Sequence, residues 1–291
     1  MIKLIATDMD GTLLGADHEV SAENVKALRF ALSRGVEIAI ASGRVHYEIA
    51  PWMKRLGLPV SIIGTNGATV HDKSGTLIHS ASLKKAILLP ILEELEARRL
   101  YFTVFTEKTV YAHAHGVAWL EEEIRDMDAE NLRKIQDLLS WLTPKTFSEK
   151  RLPILQSAAE AEAIEEEVYK CFVFSYREDK LRSAREAIAN EHLHIASSGR
   201  GNFEVMDKDA SKGKGLERLA KALDIPLAET MAIGDNQNDL SMLETAGIGV
   251  AMGNADEAIK RRCRMVTATN VEHGVARAIY RALGAEEEVG L

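Results

Sequence analysis

The sequence predicts an α/β protein in two parts: a parallel sheet covered by helices on both faces, and a second α+β domain inserted into it. Three observations carry this prediction. Short apolar runs at residues 2–6, 36–41 and 60–63 alternate with amphipathic stretches at 21–34 and 44–56, as strands buried on both faces alternate with crossover helices. The same alternation returns after Phe203, with strand-like runs at 230–233, 248–252 and 265–267. In between, the chain is richer in charged helix formers and reads as helices packed on a mostly antiparallel sheet. The expected division is therefore a Rossmann-like core built from residues 1–82 and 199–291, and an inserted domain over residues 83–198.

Each element has a local reason. Ser21 caps the helix over 21–34 and Gly35 ends it. The strand over 36–41 stops at Ser42-Gly43-Arg44, and the strand over 60–63 runs into Gly64-Thr65-Asn66-Gly67. A hairpin is expected over 68–71 and 77–80, turning around 72–75. The inserted part reads as a helix at 85–99, a hairpin at 101–112 and a long helical region over 116–141. A strand at 171–176, a helix at 179–190 and a strand at 194–196 complete it. In the returning core, helices are expected at 211–223, 240–246, 255–262 and 273–283.

Gross composition excludes several functions. The chain has 291 residues and a formal net charge of −8, which argues against a nucleic-acid binder. No apolar stretch reaches transmembrane length, and no basic segment followed by an apolar run opens the chain. No membrane partner and a cytoplasmic location are the expectations. Cys171 and Cys263 lie far apart, outside any metal-ligand spacing, and read as buried thiols. The sequence leaves the oligomeric state open.

Asp8-Met9-Asp10-Gly11-Thr12-Leu13 is the most informative stretch. Two carboxylates at a strand's end project from the same side of the backbone. Gly11 permits a sharp turn, and the Thr12 hydroxyl is expected to fix it. Like charges so placed are explained by a divalent cation and an anionic substrate. Asp8, Ser42, Asn66, Asp235 and Asn254 each follow a different strand-like run. In an open parallel sheet those ends form one rim, where ligands bind. Asp235 opens a second acidic cluster that runs to Asp239. It makes sense as the other half of a magnesium site, with Asp8 and Asp235 as carboxylate ligands. Lys212, at the start of a helix, is placed to neutralise a phosphate with the helix dipole, and Ser42 with Gly43 offers a hydroxyl and an N–H to it.

Taken together, the Asp8–Leu13 motif, Ser42, Lys212 and the Gly234–Asp239 motif resemble, in order, the four motifs of the haloacid dehalogenase-like phosphotransferases. The position of the insert, Thr65-Asn66-Gly67-Ala68 and Met252-Gly253-Asn254-Ala255 make the resemblance closest to the Cof-type, subclass IIB branch. The resemblance implies a Mg2+-dependent phosphatase acting on small phosphorylated metabolites, sugar phosphates first, through an aspartyl phosphate. Asp8 would be the nucleophile, Asp10 the acid and base, and Ser42 and Lys212 would stabilise the transferring group. It also implies that the Asp10 carbonyl is a metal ligand beside Asp8 and Asp235. The Met9 N–H and Asn238 would touch phosphate, Asp239 would order water around the metal, and the inserted domain would close over the site and read the leaving group. A phosphomutase and a non-enzymatic sugar-phosphate sensor are the alternatives.

Several residues are kept apart from the chemistry. His113 and His115 read as packed or solvated and Trp119 and Trp141 as packing. The runs 165–167 and 286–288 read as solvated helix faces, and Arg44 either reaches substrate or makes a surface salt bridge.

Overall fold

The computed structural model describes residues 1–139 and 152–285. The strands in chain order are β1 (Leu4–Thr7), β2 (Glu37–Ala41), β3 (Ser61–Gly64), β4 (Thr69–His71), β5 (Leu77–Ser80), β6 (Tyr101–Thr106) and β7 (Val110–His113), then β8 (Ile154–Leu155), β9 (Val168–Phe174), β10 (Leu193–Ala196), β11 (Asn202–Asp207), β12 (Thr230–Gly234), β13 (Ile248–Ala251) and β14 (Met265–Val266). The helices are α1 (Ala22–Ser33), α2 (His46–Arg55), α3 (Lys85–Ala97), α4 (Gly116–Arg125), α5 (Ala129–Lys134) and α6 (Gln136–Leu139), then α7 (Glu178–Ile188), α8 (Lys212–Ala222), α9 (Leu240–Thr245), α10 (Glu257–Lys260) and α11 (Gly274–Ala282). They group into two compact units, Met1–Ala81 with Asp209–Leu291, and Ser82–Lys208.

The first unit holds one sheet in the order β14-β13-β12-β1-β2-β3-β4-β5. Pairing is parallel from β14 through β3 and antiparallel from β3 through β4 to β5. β1 and β12 are neighbours although more than 200 residues separate them, in register Leu4 to Thr230 through Thr7 to Ile233. The chain leaves β1 toward β2 on one side and returns at β12 on the other, so the switch in strand order falls between these two strands. Each face of the sheet buries a separate apolar layer. Ile5, Ile38, Ile40, Ile62 and Ile233 pack with Leu28 of α1 and Ile279 of α11. Leu4, Ala39, Ile63 and Ala232 pack with Leu216 of α8 and Leu243 of α9. Strands apolar on both faces were the reason to expect this architecture, and the helices cover them as expected.

The second unit holds a sheet in the order β10-β11-β9-β6-β7-β8, antiparallel except for the β7–β8 pair. α3 and α7 cover one face through Leu88, Leu92, Leu181 and Ala184 against Phe102, Cys171, Val173 and Phe203. On the other face Leu120 of α4, Ile135 and Leu138 pack with Tyr101 and Phe174.

Several expectations change here. The expected core start at residue 199 is too early: β11 pairs with β9 and β10, so the second unit runs to Lys208. β11 follows a tight turn at Gly201, whose φ of +80° suits glycine. The expected helix over 116–141 breaks after Arg125, where Asp128 starts α5 by accepting the Asn131 N–H at 2.8 Å. Trp141 and residues 286–288 lie outside the described residues. Glu165 to Glu167 lie in a loop before β9, solvated but not helical. The expected helix over 255–262 shortens to α10. Cys171 is buried and Cys263 half-buried, both as free thiols.

Candidate active site

The site lies in the first unit, at the carboxyl rim of its parallel strands. Asp8 follows β1, Ser42 follows β2, Asn66 lies beyond β3, Asp235 follows β12, and Asn254 lies beyond β13. After Asp8 the chain makes a tight turn over Met9–Leu13, closed by the Leu14 N–H donating to the Met9 carbonyl at 2.9 Å. Gly11 occupies a φ of +81°, and a Cβ there would lie 2.6 Å from Asp235 Oδ2. Glycine thus serves both the turn and the close approach of two acidic loops.

The Thr12 hydroxyl does not fix its own turn, as the sequence suggested. It donates to Asp235 Oδ1 at 2.6 Å, tying the first motif to the last. Asn254 reinforces the same loop by donating to the Gly11 carbonyl at 2.9 Å, and Asn270 donates to the Leu14 carbonyl at 2.9 Å.

Lys212 is the centre of charge. Its side chain is fully buried, and its Nζ lies 2.5 Å from Asp8 Oδ1 and 2.5 Å from Asp239 Oδ1. Asp239 was expected to order water around the metal. Its Oδ2 accepts the Asp235 and Asn236 N–H groups, each at 2.9 Å, while Oδ1 holds the ammonium. Ser211 caps α8 through the Lys214 N–H at 3.2 Å, and the Gly213 N–H donates to Ser241 Oγ at 3.0 Å. Two leading N–H groups of the helix are thus taken by protein oxygens, and the positive charge at this end of the helix is the Lys212 ammonium.

Electrostatics follow from burial. Desolvation pushes the Asp8 carboxyl well above the usual range; nearby Asp239 adds to this and Lys212 opposes it. Burial also pushes Asp235 up, to about 6, against the Thr12 hydrogen bond. For Lys212 burial disfavours the charge, but Asp239 and Asp8 outweigh it and the ammonium is held above its ordinary value.

Asp8, Asp235 and Asp239 bring carboxylate oxygens within 4.8 Å of one another. An all-oxygen, multiply anionic donor set suits a hard divalent cation such as magnesium. Both Asp239 oxygens already serve protein donors, so Asp8 and Asp235 are the carboxylates that could hold such an ion. The Asp10 side chain stands outside this trio, and its expected part in metal binding runs through the main-chain carbonyl. Ser42 is buried, with its Oγ accepting the Arg44 N–H at 3.2 Å. Asn238, expected to touch phosphate, donates to Asn66 Oδ1 at 3.1 Å, and a Cβ on Gly43 would lie 3.2 Å from that oxygen. Met9 is buried in the apolar layer below the rim.

Arg44 turns out to be a salt-bridge partner of Asp10. Its Nε donates to Asp10 Oδ2 at 2.8 Å and its Nη2 to Oδ1 at 2.5 Å. Asn66 was noted at the rim without a role; it braces Asn238 from a left-handed φ of +53°. Only the asparagine itself signalled this, since asparagine tolerates that conformation. Of the residues set aside, His113 and Trp119 behave as packing groups: both are buried, and His113 bonds Glu96 at 2.9 Å and stacks on Trp119 with centroids 4.6 Å apart.

An open parallel sheet whose rim gathers three carboxylates around a buried ammonium is suited to the hydrolysis of an anionic ester. The chain matches the haloacid dehalogenase-like hydrolases over residues 5–279. It is 39% identical to the phosphatase YwpJ of Bacillus subtilis, over 97% of this chain and 100% of that one. It is 33% identical to the 5-amino-6-(5-phospho-D-ribitylamino)uracil phosphatase YwtE of the same organism, over 98% and 99%. A solved haloacid dehalogenase-like hydrolase from B. subtilis superposes with a TM-score of 0.81 at 38% identity, covering 96% of this chain and 99% of that one. The chain belongs to the haloacid dehalogenase-like hydrolase family, and by class it is a phosphoric monoester hydrolase.

Proposed function

We propose that this enzyme is a magnesium-dependent phosphatase of small phosphorylated metabolites, sugar phosphates foremost, working through an aspartyl phosphate on Asp8. The observation that carries the reading is the buried Asp8 carboxylate 2.5 Å from the Lys212 ammonium, inside a cluster of three carboxylates. A divalent cation would relieve the repulsion that Lys212 alone leaves in that cluster, and the arrangement presents a nucleophile to a phosphoryl group whose charge Lys212 and Ser42 can share. The relative YwtE, named for a substrate with a phosphorylated ribityl chain, supports a polyhydroxylated leaving group.

In the first step an Asp8 oxygen forms a bond to phosphorus as the ester P–O bond breaks, and Asp10 gives its proton to the departing oxygen. In the second, Asp10 takes a proton from water as the water oxygen attacks phosphorus and the Asp8 O–P bond breaks. Asp8 and Asp235 would hold the magnesium ion, which supplies positive charge to the transferring group. All of these residues belong to the first unit; the proposal assigns selection among leaving groups to the second.

The test is phosphate release from a panel of phosphorylated metabolites with magnesium, beside Asp8→Asn and an EDTA control. Release should vanish in Asp8→Asn with the fold intact, and return after EDTA only when magnesium is restored. Near-normal turnover by Asp8→Asn would sink the nucleophile assignment. Turnover that requires an added sugar bisphosphate would shift the reading to a phosphomutase.

A further inference from the structure

Asp10 is half-exposed, and among the described residues nothing but Arg44 hydrogen-bonds its carboxylate. An exposed ion pair contributes at most about 1 kcal/mol to stability, so stability alone is a weak reason for this one. Its geometry is more telling. A guanidinium fork that engages both oxygens fixes the plane and direction of a carboxylate, which a lysine cannot do. Arg44 is itself anchored. Its N–H donates to Ser42 Oγ at 3.2 Å, its carbonyl accepts the Thr65 N–H at 2.8 Å, and its guanidinium carbon lies 5.9 Å from the Trp52 ring centroid. The fork thereby fixes the Asp10 carboxylate with respect to the Ser42 loop.

We propose that Arg44 is a positioning residue for proton transfer: its guanidinium orients the Asp10 carboxylate between turnovers and yields one oxygen when the leaving group arrives. A carboxyl that hands a proton to the departing oxygen cannot keep both of its oxygens on the fork. One Arg44 contact breaks as Asp10 carries the proton, and it re-forms once the proton has left for the ester oxygen. The same contact cycle accompanies the proton taken from water in the second step. This inference rests on the acid/base reading of Asp10 given above.

The test compares kcat/KM for two substrates whose leaving groups differ in their need for a proton. A sugar phosphate requires protonation of its departing alkoxide, whereas p-nitrophenyl phosphate does not. Because kcat/KM reports only the steps up to alcohol release, later hydrolysis does not enter. Arg44→Ala should lower kcat/KM for the sugar phosphate by about tenfold or more, within the range that general acid catalysis commands. The value for p-nitrophenyl phosphate should stay within about threefold. Arg44→Lys, which keeps the charge and loses the fork, should show the same selectivity. In an Asp10→Asn background, Arg44→Ala should add no further selective loss.

Equal losses on both substrates would overturn the inference and make Arg44 a phosphoryl binder. No loss on either would reduce it to a surface ion pair. If Asp10→Asn itself slows both substrates alike, the acid/base reading fails first, and the role of Arg44 falls with it.

Discussion

Asp235→Asn separates what the acidic cluster costs the fold from what it does for catalysis. Burial raises the Asp235 carboxyl from its usual 3.8 to about 6. A carboxyl whose pKa is raised on folding favours the native state when protonated. Its contribution is therefore fully present below pH 3.8 and is lost as pH rises through 6. That gap corresponds to about 3 kcal/mol of destabilisation at pH 8, at ~1.4 kcal/mol per pH unit. Asp235 is only partly buried, and asparagine weakens the hydrogen bond from Thr12, so the net gain on substitution should be about 1–2 kcal/mol. In EDTA at pH 8 the variant should melt about 3–6 °C higher than the wild type. At pH 4 the difference should shrink toward zero, because the wild-type carboxyl is then protonated as well. Magnesium should stabilise the wild type by mass action and leave the variant unmoved, while phosphatase activity is lost in the variant. Calorimetric melts at the two pH values, with and without magnesium, read all of this. A variant less stable than the wild type in EDTA at pH 8, or a difference that ignores pH, refutes the reasoning.

Two further substitutions test the scaffold. A Cβ on Gly67 would lie 2.0 Å from the Ser211 carbonyl at a φ of +90°. Gly67→Ala should therefore cost several kcal/mol, on the order of 3, and lower kcat by displacing the Lys212 end of α8; melting and steady-state kinetics read both, and an unchanged kcat refutes the coupling. In the second unit the buried Glu123 carboxylate accepts from Ser175 Oγ at 2.8 Å, the Tyr176 N–H at 3.0 Å and Lys180 Nζ at 2.7 Å. Glu123→Ala should cost about 3 kcal/mol in a denaturant titration, and a loss below about 1 kcal/mol would show that water replaces the carboxylate.

The local patterns that make an element also make it legible. Apolar runs without alternation marked β1, β2, β3, β12 and β13, because a strand buried on both faces has no polar side to show. Ser21 and Gly35 marked the ends of α1 for reasons confined to a few residues. β11 escaped notice because it lies between a glycine turn and the returning core, and only pairing with β9 and β10 makes it a strand of the second sheet. The break after Arg125 was likewise hidden among good helix formers, with a single capping Asp128 to reveal it.

The same division runs through the site. Residue order alone told which chemical groups are present and that several share a rim, since motifs at the ends of parallel strands converge there. Asp8 and Asp235 were legible on that ground, and Lys212 as a cation at the start of a helix. Their partners came from the folded chain: Thr12 on Asp235, Asp239 on Lys212, Asn238 on Asn66, and the Arg44 fork on Asp10. Strand-end position follows from local periodicity. A hydrogen-bond partner depends on distances of a few tenths of an ångström between segments up to 256 residues apart, and those distances are set by packing of the whole core.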